Sequence, residues 1–203
     1  MSRKSKNLIQ KKIIAIYCEG ESEKAYFEML STKYNSKANV HTEKIKIEAC
    51  SGAKGTVLVD EAISKINNIP KKEKVDQAYI VFDRDDLSND ELQNCSSKAK
   101  ENNIKVIFSS ISFEVWILLH FERWTRAFTA QQLNTKLSGE NYFNQNYEDF
   151  KGKRYDGFLY VRVKQAVANA KYLSQQNNDD FLNSDPYTNV YKFLSEIYNT
   201  EQF

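Results

Sequence analysis

The sequence predicts an α/β fold: an open, mostly parallel sheet flanked by helices, with a helical C-terminal portion. Three observations carry this. Over the first 110 residues, short apolar runs rich in β-branched residues alternate with stretches of helical periodicity. Two of the most apolar runs, IIAIYC and AYIVF, end directly on clustered acids. After residue 110 the apolar spacing becomes helical.

Residues 11–18 (KKIIAIYC) form a continuous apolar run, as expected of a strand buried on both faces. Residues 21–35 place Tyr26, Phe27, Leu30 and Tyr34 at helical spacing, with Glu21 or Ser22 available as the cap. Residues 40–50 alternate through Ile45, Ile47 and Ala49, the pattern of a half-buried strand. Residues 51–67 turn through two glycines into a helix with Val59, Ala62, Ile63 and Ile66 on one face. A strand is predicted within 77–86, a polar helix over 88–103 and a fourth strand over 104–110.

Beyond these, FEVWILLHFERW (113–124) is apolar nearly all round and reads as one buried helix, with Ser112 able to cap it. Thr129 caps a second helix that stops at Gly139. A long helix is expected over 158–176 and a closing helix over 188–198, capped by the Asp185-Pro186 turn. The expected organisation is a basic flexible tail (1–10), an α/β core (11–110) and a helical portion packed on it (111–203).

Composition narrows the classes. A chain of 203 residues with 41% hydrophobic and 13% aromatic residues can bury a core, and 6 Gly with 2 Pro exclude collagen-like or disordered chains. The net charge of +2 does not by itself argue for a polyanionic partner, so any such contact must come from local clustering. Cys18, Cys50 and Cys95 match no metal or redox spacing, which fits reduced thiols in a cytoplasmic protein. No apolar run reaches the roughly 18 residues of a membrane span.

The chemistry concentrates at two strand ends. Glu19, Glu21 and Glu23 follow the first strand; Asp83, Asp85 and Asp86 follow the third. In an open α/β sheet both fall on the carboxyl edge, where ligands bind. Carboxylates crowded together repel unless a cation sits among them, and hard divalent cations take oxygen ligands. Asp83 and Asp85 are two apart and would face the same way in extended backbone, with Glu19 as a third ligand and Asp86 reaching in through a turn. Ordinary turn chemistry also favours such acids. Lys54, in SGAKGT, lies before a helix, as a phosphate contact or as part of a simple turn; the P-loop spacing is missing. His41 and His120 are the only histidines, too few for zinc or acyl-transfer sites, and His120 reads as a core residue. In 141–164, Lys151, Lys153, Arg154, Arg162 and Lys164 interleave with Tyr142, Phe143, Tyr147, Phe150, Tyr155, Phe158 and Tyr160. Lys151, Lys153, Arg154 and Tyr155 are the candidates for nucleic-acid contact by charge and stacking, against an aromatic mini-core with snorkelling lysines.

CEGESEKAYFE with VFDRDD resembles the Toprim-type metal site of topoisomerases, primases and related nucleases. SSISFEVWILLHF (109–121) and SDPYTNVYKFLSEI (184–197) are similar to the RloB family, a Toprim-like group of bacterial restriction and phage-defence loci. The likeness runs from about residue 12 to 198. It implies Glu19, Asp83 and Asp85 as catalytic, metal-holding carboxylates for Mg²⁺ or Mn²⁺, with Asp86, Glu23 and Glu114 as companions. It also implies a metal-dependent nuclease acting on RNA, including transfer RNA, or on DNA, beside an ATPase encoded by a neighbouring gene; whether it forms a homo-oligomer is left open. The alternative is a non-catalytic module that docks on that ATPase. One departure stands out: Ile111-Ser112 replaces the family's frequent Asn-Pro before Phe-Glu.

Overall fold

A computed structural model describes residues 12–34 and 44–203. The expected basic tail and His41 lie outside the described residues. Five strands form one sheet in the order β2-β1-β3-β4-β5. They are β1 (Ile13–Cys18), β2 (Lys44–Ala49), β3 (Gln77–Asp83), β4 (Ile104–Ser110) and β5 (Tyr187–Thr188). The first four are parallel; β5 runs antiparallel to the end of β4, pairing Thr188 with Ser109 and Tyr187 with Ser110.

Helix α1 (Glu21–Tyr34) connects β1 to β2, α2 (Gly55–Asn67) leads from β2 toward β3, and α3 (Asn89–Glu101) joins β3 to β4. The chain first steps from β1 to one side, then crosses β1 and continues to the other. Right-handed crossovers require helices of opposite stepping direction to lie on opposite faces. The core divides accordingly. Ile14, Ile16 and Cys18 of β1 pack with Tyr26, Phe27 and Leu30 of α1, whereas Ala15 and Tyr17 pack with Leu58, Val59, Leu92 and Cys95 of α2 and α3. The reversal of strand order falls between β1 and β3, the position where open α/β sheets leave a crevice at their carboxyl ends.

The C-terminal portion covers the α1 face. It comprises α4 (Glu114–Leu118), α5 (Ala130–Leu137), α6 (Tyr147–Phe150), α7 (Asp156–Leu159), α8 (Val163–Gln176) and α9 (Val190–Tyr198). Trp116, Leu133, Tyr147, Val163 and Leu194 join the α1 cluster. Thr129 caps α5 in a reciprocal box with Gln132, as its sequence predicts.

Three expected elements differ. The helix over 113–124 is α4 alone, ending at Leu118. Its final carbonyls are met locally, His120 N–H donating to Ile117 O at 3.2 Å and Phe121 N–H to Leu118 O at 2.9 Å, while His120 Nδ1–H donates to Trp116 O at 3.0 Å and, from 50 residues away, Asn169 Nδ2 donates to Leu119 O at 2.7 Å. These partners let the chain tighten and leave the helix without stranding buried acceptors. The helix expected over 158–176 is split into α7 and α8. The helix over 188–198 begins at Val190, because Tyr187 and Thr188 extend the sheet and Asn189 is spent on β4: its Oδ1 accepts Phe108 N–H at 2.7 Å and its Nδ2 donates to Val106 O at 3.1 Å.

His120 is fully buried. Trp116 O can only accept, so Nδ1 carries the proton and Nε2 accepts from Tyr26 O–H at 3.0 Å. Burial lowers its pKa to about 3, the state of a neutral core histidine. Cys18, Cys50 and Cys95 are free and buried. No described helix is long and apolar enough to cross a membrane.

Candidate metal centre

Glu19 follows β1, Asp83 ends β3, and the two strands are neighbours in register, with Cys18 opposite Val81. Their acids therefore flank the switch point. Backbone bonds fix the arrangement: Glu19 N–H donates to Val81 O at 2.8 Å, and Asp83 N–H donates to Glu19 Oε2 at 3.4 Å. Asp85 arrives by a turn rather than by extended spacing. Its φ of +43° lies in the left-handed region that aspartate tolerates, and its N–H donates to Ile111 O at 3.2 Å. The result is one carboxylate oxygen each from Glu19, Asp83 and Asp85, all within 4.8 Å of one another.

The electrostatics follow from this packing. Desolvation raises Glu19's pKa to about 7, opposed by the Asp83 N–H and reinforced by Asp85. Burial, then Asp85 and the other nearby acids, push Asp83 well above the carboxylate range. Asp83 Oδ2 accepts the N–H of Phe113, the residue just before α4, at 3.2 Å, and the expected Ser112 cap does not form. Asp83 Oδ1 is shut off from solvent and has no hydrogen-bond partner among the described residues; the same holds for the hydroxyls of Ser110 and Ser112 on the adjoining strand end. A buried carboxylate oxygen without a donor is costly. A divalent cation on an all-oxygen set would relieve it, so the residues present fit Mg²⁺ or Mn²⁺.

The other expected companions separate into distinct positions. Asp86 stands outside the cluster: the turn directs it to solvent, its side chain is 88% exposed, and it meets Lys54 Nζ at 2.6 Å. Lys54 also reaches Asp85 at 3.2 Å. Glu23 is buried and folds back to accept Gly20 N–H at 3.1 Å, capping its own helix where Glu21 or Ser22 was expected. Burial, with Glu114 and Glu19 nearby, raises its pKa to about 8. Glu114 is buried behind the cluster, where Tyr147 O–H donates to it at 3.5 Å. Phe113 N–H and Tyr147 escape a sequence reading because their contacts span 30 and 33 residues with no local pattern.

The aromatic–basic stretch is a mini-core. Phe143, Tyr147 and Tyr155 are buried, so Tyr155 is no stacking platform; its hydroxyl meets Tyr147 O–H at 3.3 Å. The aromatic rings pack on one another because the short helices α6 and α7 have little else to bury. Lys151, Lys153 and Arg154 remain exposed, Arg154 pairing with Asp156 at 3.1 Å. Their loop abuts the start of α1: at Gly152, with φ of +80°, an added Cβ would lie 3.3 Å from Glu21 Cβ. Lys153, Arg154, Glu21 and Glu28 line a groove of about 430 Å³ there. A groove of about 880 Å³ lies at the opposite ends of β3 and β4 and holds none of the clustered acids.

Sheet, switch point and carboxylates together define an α/β protein with an acidic, cation-ready centre at the carboxyl edge. The chain belongs to the RloB-like protein family, whose model matches residues 14–197. No curated protein and no solved structure gives a significant match.

Proposed function

We propose that this protein is a divalent-metal-dependent nuclease, cleaving phosphodiester bonds in RNA, with transfer RNA included, or in DNA. In this reading it acts in the cytoplasm as an effector of anti-phage defence, beside a partner ATPase. The observation that carries the reading is the convergence of Glu19, Asp83 and Asp85 at the switch point, with a buried Asp83 oxygen that lacks a donor among the described residues. The Toprim-type resemblance of the same residues supports it.

Glu19, Asp83 and Asp85 would hold the ion. When bound, Mg²⁺ or Mn²⁺ supplies Lewis-acid polarisation of a phosphoryl oxygen and a more acidic water or hydroxyl. Asp83 is kept in place by Phe113 N–H. Glu19, with a pKa near 7 before any ion binds, can take or give a proton close to neutral pH. The Lys151–Arg154 loop, beside α1, offers positive charge to a polyanion passing the edge.

A second reading is a docking module that performs no cleavage. What favours it is Lys54, which already supplies a cation to Asp85 and Asp86. The deciding assay incubates labelled bulk tRNA, single-stranded DNA and duplex DNA with Mg²⁺, Mn²⁺ or EDTA, with and without the genomic neighbour's product. Cutting that needs the metal and disappears in the Asp83→Ala/Asp85→Ala double variant is the expected result. No cutting under any condition, neighbour included, would favour the docking module.

A further inference from the structure

We propose that Lys54 is the resident cation of this acidic edge, competing with the divalent ion for Asp85 and retreating onto Asp86 when the ion binds. The inference rests on the metal reading above and adds to it a built-in threshold for metal.

Lys54 is rooted firmly. It is the N-cap residue of α2, its carbonyl accepts Leu58 N–H at 3.4 Å, and the loop before it is tied to β1 by Gly52 N–H donating to Glu19 O at 2.8 Å. The side chain is therefore launched from a fixed point beside Glu19. Its ammonium spans two carboxylates of different standing. Asp85 belongs to the three-acid cluster; Asp86 does not. Asp85 thus has two claimants.

Lys54 sits on Asp85 Oδ2, and serving both claimants at once is costly. A unit charge and a double charge sharing one carboxylate lie within a few ångströms, where their repulsion is large even at the effective dielectric of a protein edge. The solvent-free Oδ1 of Asp83, without a donor among the described residues, marks the inner part of the cluster as the ion's place. Lys54 reaches only the outer part. Its contact with Asp86, at 2.6 Å, is shorter than that with Asp85, at 3.2 Å, so a small swing keeps the ammonium paired while freeing Asp85. Asp86 is then the residue that receives the displaced lysine, which accounts for an exposed acid placed one residue beyond the cluster.

The test is Mn²⁺ titration calorimetry on the full chain at low ionic strength, comparing wild type, Lys54→Met and Lys54→Arg. Metal-free melting curves establish that each variant is folded. Removing the competitor should tighten Mn²⁺ binding roughly two- to fivefold in Lys54→Met, within the range expected of a partly exposed ion pair. Lys54→Arg keeps the charge and should bind like wild type. Equal or weaker binding by Lys54→Met would overturn the competition while leaving the metal site standing. Binding by none of the three proteins would overturn the metal reading and this inference together. Tighter binding by both variants would also overturn it, since the effect would then not follow charge.

Discussion

Replacing Glu19 with Gln should stabilise the metal-free protein while removing its response to metal. The amide keeps an oxygen for the Asp83 N–H, which donates to Glu19 Oε2 at 3.4 Å, so the strand tie survives and mainly the charge is lost. Two full charges 4.8 Å apart repel by about 3.5 kcal/mol at an effective dielectric of about 20. Partial protonation of Glu19, solvent screening and the attraction of nearby Lys54 all reduce this, leaving about 1–2 kcal/mol. For a chain of 203 residues that is a rise in Tm of roughly 2–8 °C. The pH dependence has a definite sign. Glu19's pKa rises from 4.5 to about 7 and Glu23's to about 8, so the native state binds more protons than the unfolded chain between those values. Stability therefore falls as pH rises through that window, and Glu19→Gln should flatten part of the fall. The assay is thermal unfolding in EDTA at pH 5 and pH 8, repeated with Mn²⁺. An unchanged or lowered Tm at pH 8 in EDTA would refute the repulsion argument.

Other consequences can be checked with the same equipment. His120, buried with its pKa lowered to about 3, is neutral in the native state but titrates normally when unfolded, so its contribution is present above about pH 6.5 and is lost as pH falls toward 3; Tyr26→Phe, which strips its Nε2 of a donor, should cost about 1–3 kcal/mol in denaturant unfolding. Asn189→Ala would leave Phe108 N–H and Val106 O of β4 without their side-chain partner and should lower stability by about 2–3 kcal/mol, whereas a loss near zero would mean water replaces it. Trp116→Ala, at a fully buried site, should cost about 3–5 kcal/mol by urea titration.

Much of the core was legible because local signals agreed. The apolar runs ending at Cys18 and Asp83 are buried strands, and alternation through Ile45 and Ile47 marks the edge strand β2. Glu19, Asp83 and Asp85 could be proposed as a group because parallel strands deliver their ends to one edge. What sequence could not show was decided by distant partners. Asn169, 50 residues on, takes Leu119 O just past the end of α4, and β5 depends on two residues pairing with Ser109 and Ser110. Asp86 was expected to reach the cluster through a turn, yet the left-handed turn at Asp85 sends it to Lys54. Tyr155 looked like a stacking residue only because aromatic surface and aromatic core have the same composition.

The most direct test of the centre itself is a crystal soaked in Mn²⁺, with an anomalous difference map calculated at the manganese edge. The account predicts a peak bounded by Glu19, Asp83 and Asp85, with Asp83 Oδ1 among the ligands and Lys54 turned toward Asp86. A map with no peak there, or a peak held only by exposed acids such as Asp86, would contradict it.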